Sequence, residues 1–152
     1  MKDALKASLK RLERLVQIRD TYVDAAEAGV KQAERELRGL EAAEREVAGN
    51  IQQVQAGIAY LNKATGHDVQ VDDRYIQALS RQRKQLQQLV EKAADNLEHR
   101  RREWTEAMRE QKIAAKLQER RLHQWEREDD TAQQKSQDDD AIARYVRTRR
   151  EK

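Results

Sequence analysis

Apolar residues recur along the first part of the chain at a spacing that alternates between three and four positions. The mean period is about 3.5 residues, which keeps one stripe of an α-helix facing a partner helix in a left-handed supercoil. Only Arg19 and Glu44 interrupt this stripe. The pattern predicts a long first helix that takes part in a coiled coil. The stripe comprises Leu5, Leu9, Leu12, Val16, Arg19, Val23, Ala26, Val30, Ala33, Leu37, Leu40, Glu44, Val47, Ile51, Val54, Ile58 and Leu61.

A second apolar stripe with the same spacing begins at Ile76 and is less apolar than the first. After Trp104 the apolar residues shift by one position, which predicts a stutter that locally unwinds the supercoil. The second stripe comprises Ile76, Leu79, Arg83, Leu86, Val90, Ala93, Leu97, Arg100 and Trp104, and its shifted continuation comprises Met108, Ala115, Leu122 and Trp125.

A cluster of turn-forming residues at 62–68 separates the two stripes. Gly66 suits the position just after a helix because it tolerates the left-handed conformation. Asp72 and Asp73 suit the start of the next helix, where a side-chain oxygen can cap free N–H groups. We therefore predict a first helix over about 2–64, a loop over about 65–72 and a second helix over about 73–148.

A loop this short predicts that the two helices fold back on each other in antiparallel fashion. The expected fold class is all-α, a long antiparallel two-helix coiled-coil hairpin in which residues 1–152 form a single rod. At 1.5 Å per residue the first helix would be about 95 Å long. With Leu61 opposite Ile76, Leu5 would lie opposite about residue 132, and the last ~20 residues would project beyond the paired region.

The composition agrees with an elongated protein. Charged residues account for 39% of the chain and apolar residues for 38%, whereas an ordinary globular domain has roughly 25% and 45–50%. The chain contains no proline and no cysteine, so disulfides and thiolate metal sites are excluded. There is no apolar targeting segment and no run of about 18 apolar residues. We expect a soluble, cytoplasmic protein.

The candidate chemical groups do not form a catalytic or metal site. A His/Glu pair one helical turn apart can share a metal, but zinc needs a third and usually a fourth ligand. His99 with Glu103 and His123 with Glu119 are such pairs, and neither has a third ligand in the sequence. A two-helix coil also encloses no pocket from which water is excluded. We expect no enzymatic activity, no metal and no cofactor.

Basic residues occur in clusters at 100–102, at Arg120 and Arg121, and in the C-terminal tail, although the net charge is only +3. A nucleic-acid-binding hairpin could place these clusters against phosphates, but phosphate affinity needs a patch of one sign, and acids are interleaved here. We therefore expect no nucleic-acid partner. The remaining alternative of a different kind is a scaffold coil that dimerises through its own stripe.

The few aromatic residues suggest where partners bind. Trp104 and Trp125 follow the second stripe, which favours packing between the helices. Tyr75 lies near the loop, where fewer neighbours cover it, so it is a candidate anchor for a partner protein.

Three segments resemble the FliJ family, the small coiled-coil components of the bacterial flagellar export apparatus. The opening at 8–20, SLKRLERLVQIRD, has the family's rhythm of arginine, leucine and acid. The segment at 32–37 with Leu40 is similar to the family, and so is the aromatic-Ile-Gln-x-Leu segment from Tyr75 to Leu79. The pattern covers nearly the whole chain.

The resemblance implies a stalk for protein export. Members place their paired helix termini in the central hole of the hexameric export ATPase, FliI, and promote its assembly and hydrolysis. They also contact the export gate protein FlhA and secretion chaperones, which implies a position at the inner face of the cell membrane through these partners. The gate-facing residues would be Leu40, Tyr75 and Leu79. Ala43 and Val47 stand where some members carry tyrosines.

The expected contact with the ATPase ring lies at the end of the rod that carries both termini. Long basic side chains suit a ring contact because they reach several subunits while their stems still pack. The equivalent stalk of an injectisome would use the same features, and the sequence does not separate the two systems. The residues expected at the ring are Lys6, Lys10, Arg11, Arg14, Arg144, Arg147, Arg149 and Arg150.

Overall fold

Two long helices make up the described part of the chain. A computed structural model describes residues 2–60 and 66–151, and the side chains of 3–59 and 70–151. Helix α1 spans Lys2–Tyr60 and helix α2 spans Gly66–Glu151. No strand occurs among these residues. The all-α prediction of two long helices packed against each other is confirmed.

Helix α2 begins seven residues before the expected start at 73. Gly66 is its first residue, so the segment 66–72 that was expected in the loop is helical. Asp72 and Asp73, expected as caps, lie in the second turn of the helix. No proline blocks the earlier start, and acidic residues in the first turns favour a helix without capping it. The expected end of the first helix, at about 64, lies outside the described residues.

The chain divides into two compact units, each formed by a segment of α1 packed on a segment of α2. Unit 1 contains Met1–Asp24 and Glu106–Lys152, and unit 2 contains Ala25–Thr105. All described positions of the first stripe, from Leu5 to Ile58, are buried or half-buried. The predicted stripe of α1 is therefore confirmed.

Unit 2 has two small apolar clusters. In one of them Val30, Ala33 and Leu97 are buried, and Leu37 and Trp104 pack against them. The position of Trp104 between the helices agrees with the prediction from the stripe. The second cluster is built from buried Val47, Ile51 and Leu79 with half-buried Ile76 and Leu86.

Polar residues of the two stripes pair with each other across unit 2. Arg83 Nε lies 3.0 Å from Glu44 Oε1, and Gln87 Nε2 donates to the same oxygen at 3.4 Å. Glu44 interrupts the apolar stripe of α1, and Arg83 interrupts that of α2. The two charged side chains therefore pair with each other. A charge inside a coiled-coil stripe is tolerated when it is paired, and such a pair favours one alignment of the helices.

Unit 1 is also held by pairs between α1 and α2. The Arg19 guanidinium forms an ion pair with Glu110, and Gln111 Nε2 donates to Asp20 Oδ1 at 2.8 Å. Leu5 is buried. The direction of the helices is shown in unit 2, where Glu34 pairs with Arg101 and Glu44 with Arg83. Residue numbers on α2 decrease there as those on α1 increase, so the two helices of that unit run antiparallel.

The alignment in unit 1 differs from the expected one by about one heptad. Continued one residue for one from the pair of Arg19 and Glu110, it places Leu5 opposite about residue 124 instead of 132. The pairing expected for Leu61 lies outside the described residues.

The stutter expected after Trp104 stays a prediction. Half-buried Ala107 and Gln111, buried Ala114 and half-buried Gln118 continue the heptad phase of Trp104 in unit 1. Three of the four positions of the shifted pattern, Met108, Ala115 and Trp125, are half-buried as well, and Leu122 is exposed.

The C-terminal part of α2 has no packed neighbour among the described residues. Every residue from Asp130 to Glu151 is exposed, and the segment is helical throughout. The prediction that about 20 residues project beyond the paired region agrees with this exposure. Within the described helices, no segment is long and apolar enough to cross a membrane.

Candidate partner-binding surfaces

The residues expected at the export gate lie in unit 2 and differ in accessibility. Tyr75 is 51% exposed, as its place near the turn suggested. Leu79, one helical turn further, is only 7% exposed and packs on Val47 and Ile51. Tyr75 can therefore be touched by a partner directly, whereas Leu79 holds α2 against α1 beneath it.

Leu40 does not lie beside these two residues. It is half-buried and precedes Val47, the nearer α1 neighbour of Leu79, by seven residues of α1. Seven helical residues span about 10 Å. Val47, where some family members carry a tyrosine, is buried. The structure thus separates the three expected gate residues into an exposed tyrosine, a buried leucine and a more distant leucine.

The basic residues expected at the ATPase ring form two groups. Lys6, Lys10, Arg11 and Arg14 are exposed on α1 within unit 1. From the alignment of this unit, Lys6 lies opposite about residue 123, and Arg144 follows about twenty-one residues later on α2. The two groups are therefore about 30 Å apart along α2. Arg144, Arg147, Arg149 and Arg150 make up the second group, which is also exposed.

The second group lies beside apolar residues that the sequence reasoning did not single out. Ile142, Tyr145 and Val146 are exposed on the same terminal stretch of α2. Their spacing of three and four positions places them on one face of the helix. That spacing is a signal that the sequence contains, but it covers only one helical turn.

The arginines at 100–102 are each paired with an acid. Arg100 Nη1 lies 3.3 Å from Glu103, and a nitrogen of Arg101 lies 3.6 Å from Glu34 on α1. Arg102 donates to Glu98 at 2.9 Å, and this hydrogen bond, together with the arginine's charge, lowers the pKa of the Glu98 carboxyl. A cluster compensated in this way does not present the patch of one sign that a phosphate backbone needs.

The two described histidine pairs are contacts between an imidazole and a carboxyl group on the helix surface. His99 Nε2 lies 2.9 Å from Glu103. His123 lies 3.8 Å from Glu119 and 3.7 Å from Glu126, and it is exposed. Among the described residues, no group of three or more metal-ligating side chains converges on one point.

Comparison with known proteins gives one family. The family model described as Flagellar FliJ protein matches residues 8–150. No curated protein and no solved structure matches the chain. Because the match covers nearly all of the sequence, including both helices, this chain belongs to the FliJ family.

Proposed function

We propose that this chain, a component of flagellar type III export, is the stalk that binds the hexameric export ATPase and promotes its assembly and hydrolysis. The observation that carries the proposal is the segment from Asp130 to Glu151, which is helical and exposed on all sides. A helix without packed neighbours can be contacted by several subunits of a ring at once.

The chemistry of this segment supports such a contact. Four arginines lie close to exposed Ile142, Tyr145 and Val146. Arginine and tyrosine are enriched among the residues that dominate protein interfaces, and arginine reaches carboxylates and carbonyl groups through five donors. In this proposal the chain adds no catalytic group. It binds the assembled ring in preference to free subunits, and so favours assembly by mass action.

Exposed basic residues of α1 extend the surface. Lys6, Lys10, Arg11 and Arg14 lie about 30 Å from the tail arginines along α2, so one ring contact of short depth does not include both groups. We assign one contact with the ring to the tail arginines and a second, separate contact to the basic residues of α1.

The export gate and the chaperones are assigned to unit 2 in the same proposal. Tyr75 is the accessible anchor for the gate protein FlhA, Leu79 supports it from within the apolar cluster, and Leu40 belongs to a separate patch. Secretion chaperones are assigned to the same rod by the family resemblance.

The test measures ATP hydrolysis by the cognate export ATPase with the intact chain and with a chain that ends after Asp140. We expect stimulation by the intact chain to saturate near one chain per hexamer and to be strongest at low ATPase concentration, because the chain acts on assembly. The shortened chain should lose most of the stimulation. Full stimulation by the shortened chain, or none by the intact one, would contradict the proposal.

Two matched controls separate the tail from other surfaces. Arg45→Gln with Arg74→Gln removes two exposed arginines of unit 2 and should leave the stimulation unchanged. Tyr75→Ala should also leave it unchanged while weakening binding to FlhA. If Tyr75→Ala lowers both activities equally at constant helix content, the division between the two surfaces is wrong.

A further inference from the structure

One face of unit 1 exposes apolar side chains from both helices. Ile18 and Tyr22 of α1 are 51% and 58% exposed, and Ile113 and Leu117 of α2 are 54% and 42% exposed. The pairs are spaced by one helical turn, so each forms a short stripe along its helix. These residues lie beside the stripe that packs between the helices, not within it.

A groove between the helices is lined by both residues of the α2 stripe and, on α1, by Leu15 and by Arg19, which follows Ile18. Its volume is about 160 Å³, and an apolar cavity of about 150 Å³ holds a benzene molecule. The groove therefore has room for one leucine or phenylalanine side chain. It is lined by Leu15, Arg19, Glu110, Ile113, Ala114 and Leu117, and we call it the unit 1 groove.

The polar groups in the groove are already satisfied by each other. Arg19 and Glu110 form an ion pair across the helices, so an apolar side chain that enters the groove leaves no charge without a partner. Buried Ala114 forms its floor. Its small side chain leaves the space that Leu15 and Leu117 border.

One end of the groove is positively charged. Arg11 precedes Leu15 by one turn of α1, and Arg121 follows Leu117 by one turn of α2, with Arg120 next to it. All three side chains are exposed, and none of them forms an ion pair with another residue that the structure describes. The three positive charges therefore remain available to an acidic partner.

We propose that the unit 1 groove binds an amphipathic helix of a partner protein whose apolar side chains enter the groove and whose acidic residues lie against Arg11, Arg120 and Arg121. A helix laid along two packed helices presents anchors at spacings of three and four residues, which suits the two stripes. The distance from Tyr22 to Arg11 corresponds to about 16 Å, or three turns of the bound helix. This site goes beyond the ATPase contact at the tail, and only Arg11 belongs to both surfaces.

The size of the surface favours a single helix over a second copy of this chain. Stable interfaces between proteins involve roughly 20–30 residues on each side, whereas this face offers five apolar side chains and three arginines. A surface of this size is sufficient for a bound helix of three turns. The positive end of the groove favours acidic helices and fixes which end of the bound helix lies against the arginines.

The test uses the full chain and a synthetic probe measured by fluorescence anisotropy. The probe is a labelled helical peptide of about four turns, with leucines along one face and glutamates at one end, made with the glutamates at either the N- or the C-terminal end. One control peptide has the same composition with the leucines scattered around the helix, and another carries lysines in place of the glutamates. We expect binding by one of the acidic peptides and at least tenfold weaker binding by both controls.

Variants of the chain locate the binding. Ile113→Ser with Leu117→Ser should weaken binding at least tenfold, whereas Leu89→Ser, at an exposed leucine of unit 2, should leave it unchanged. Arg120→Glu with Arg121→Glu should reverse the preference in favour of the lysine peptide. All three variants change exposed residues, and equal helix content by circular dichroism would show that they fold.

Three results would overturn the proposal. The first is equal binding by the intact chain and by the Ile113→Ser, Leu117→Ser variant. The second is equal binding of the acidic and lysine peptides by the intact chain. The third is a dimer of the chain alone that the same variant dissociates, because a second copy would then occupy the groove.

Discussion

Charged residues inside the stripes are compensated one by one. Glu44 accepts hydrogen bonds from Arg83 and Gln87, and Arg19 pairs with Glu110. Each of these residues would cost free energy if it were partly buried without a partner. Because the pairs form only at one alignment of the helices, they act against shifted alignments that the apolar stripe alone would tolerate.

The pair of Glu44 and Arg83 should contribute measurably to stability. In a double-mutant cycle with Glu44→Ala and Arg83→Ala we expect a coupling of about 1 kcal/mol, because the Glu44 side chain is only 22% exposed. Urea unfolding followed by circular dichroism gives the four free energies. The control is the same cycle on the ion pair of Glu98 and Arg102, which lies on the exposed surface of α2. Its coupling free energy should be only about 0.3–0.5 kcal/mol. Equal couplings would mean that the partial burial of Glu44 adds nothing.

Helix α2 is less apolar than α1, and this affects how it packs. Its inward positions in unit 1 include Gln111, Ala114 and Gln118, which bury less apolar area than leucines would. Helices in proteins take most of their stability from packing of one face. The few buried leucines of α2 should therefore carry a large share of the stability of their unit.

Two leucines of α2 test this point with the same substitution. Leu97 is 6% exposed and packs on Val30 and Ala33, so Leu97→Ala should lower the free energy of unfolding by about 2–4 kcal/mol. Leu89 is 46% exposed on the same helix, and Leu89→Ala should change it by less than about 0.5 kcal/mol. Both values come from urea unfolding. A similar loss for both variants would indicate that helix propensity, not packing, dominates.

At the scale of the whole molecule, α1 and α2 differ in length by many residues. Helix α1 has 59 residues and α2 has 86, and the excess of α2 includes the exposed segment from Asp130 to Glu151. The exposure of this helical segment along its whole length leaves its side chains accessible to another protein. This property, rather than any catalytic group, is the basis of the proposed function.

Removal of the end of this segment should not destabilise the rest of the chain. A chain that ends after Asp140 should keep its thermal midpoint within about 2 °C, because surface changes away from packed features alter stability by about 0.5 kcal/mol or less. The ellipticity at 222 nm should fall only in proportion to the residues removed. A clear decrease in the midpoint would show that the tail packs on another part of the protein.

The sequence alone determined the helical fold and the inward face of α1. A stripe with a period of about 3.5 residues is a local property of one helix, and a partner helix packs against it whatever the alignment. Every described position of that stripe is buried or half-buried. The exposure of Tyr75 and of the tail also followed from the sequence, the first from its place near the turn-forming cluster and the second from the unequal lengths of the predicted helices.

Only the tertiary structure decided the alignment and the surfaces that depend on it. The pairing in unit 1 is shifted by about one heptad from the expected one. Helix α2 begins at Gly66, and no local signal distinguishes a helical Gly66 from one that ends a helix. The inward phase of α2 near Gln111 and the burial of Leu79 depend on what α1 places opposite them. The unit 1 groove exists because Leu15 and Leu117, far apart in the sequence, border the same small alanine. The packing of the two helices decides which residues become neighbours in this way. The apolar pattern along one helix carries no information about these neighbours.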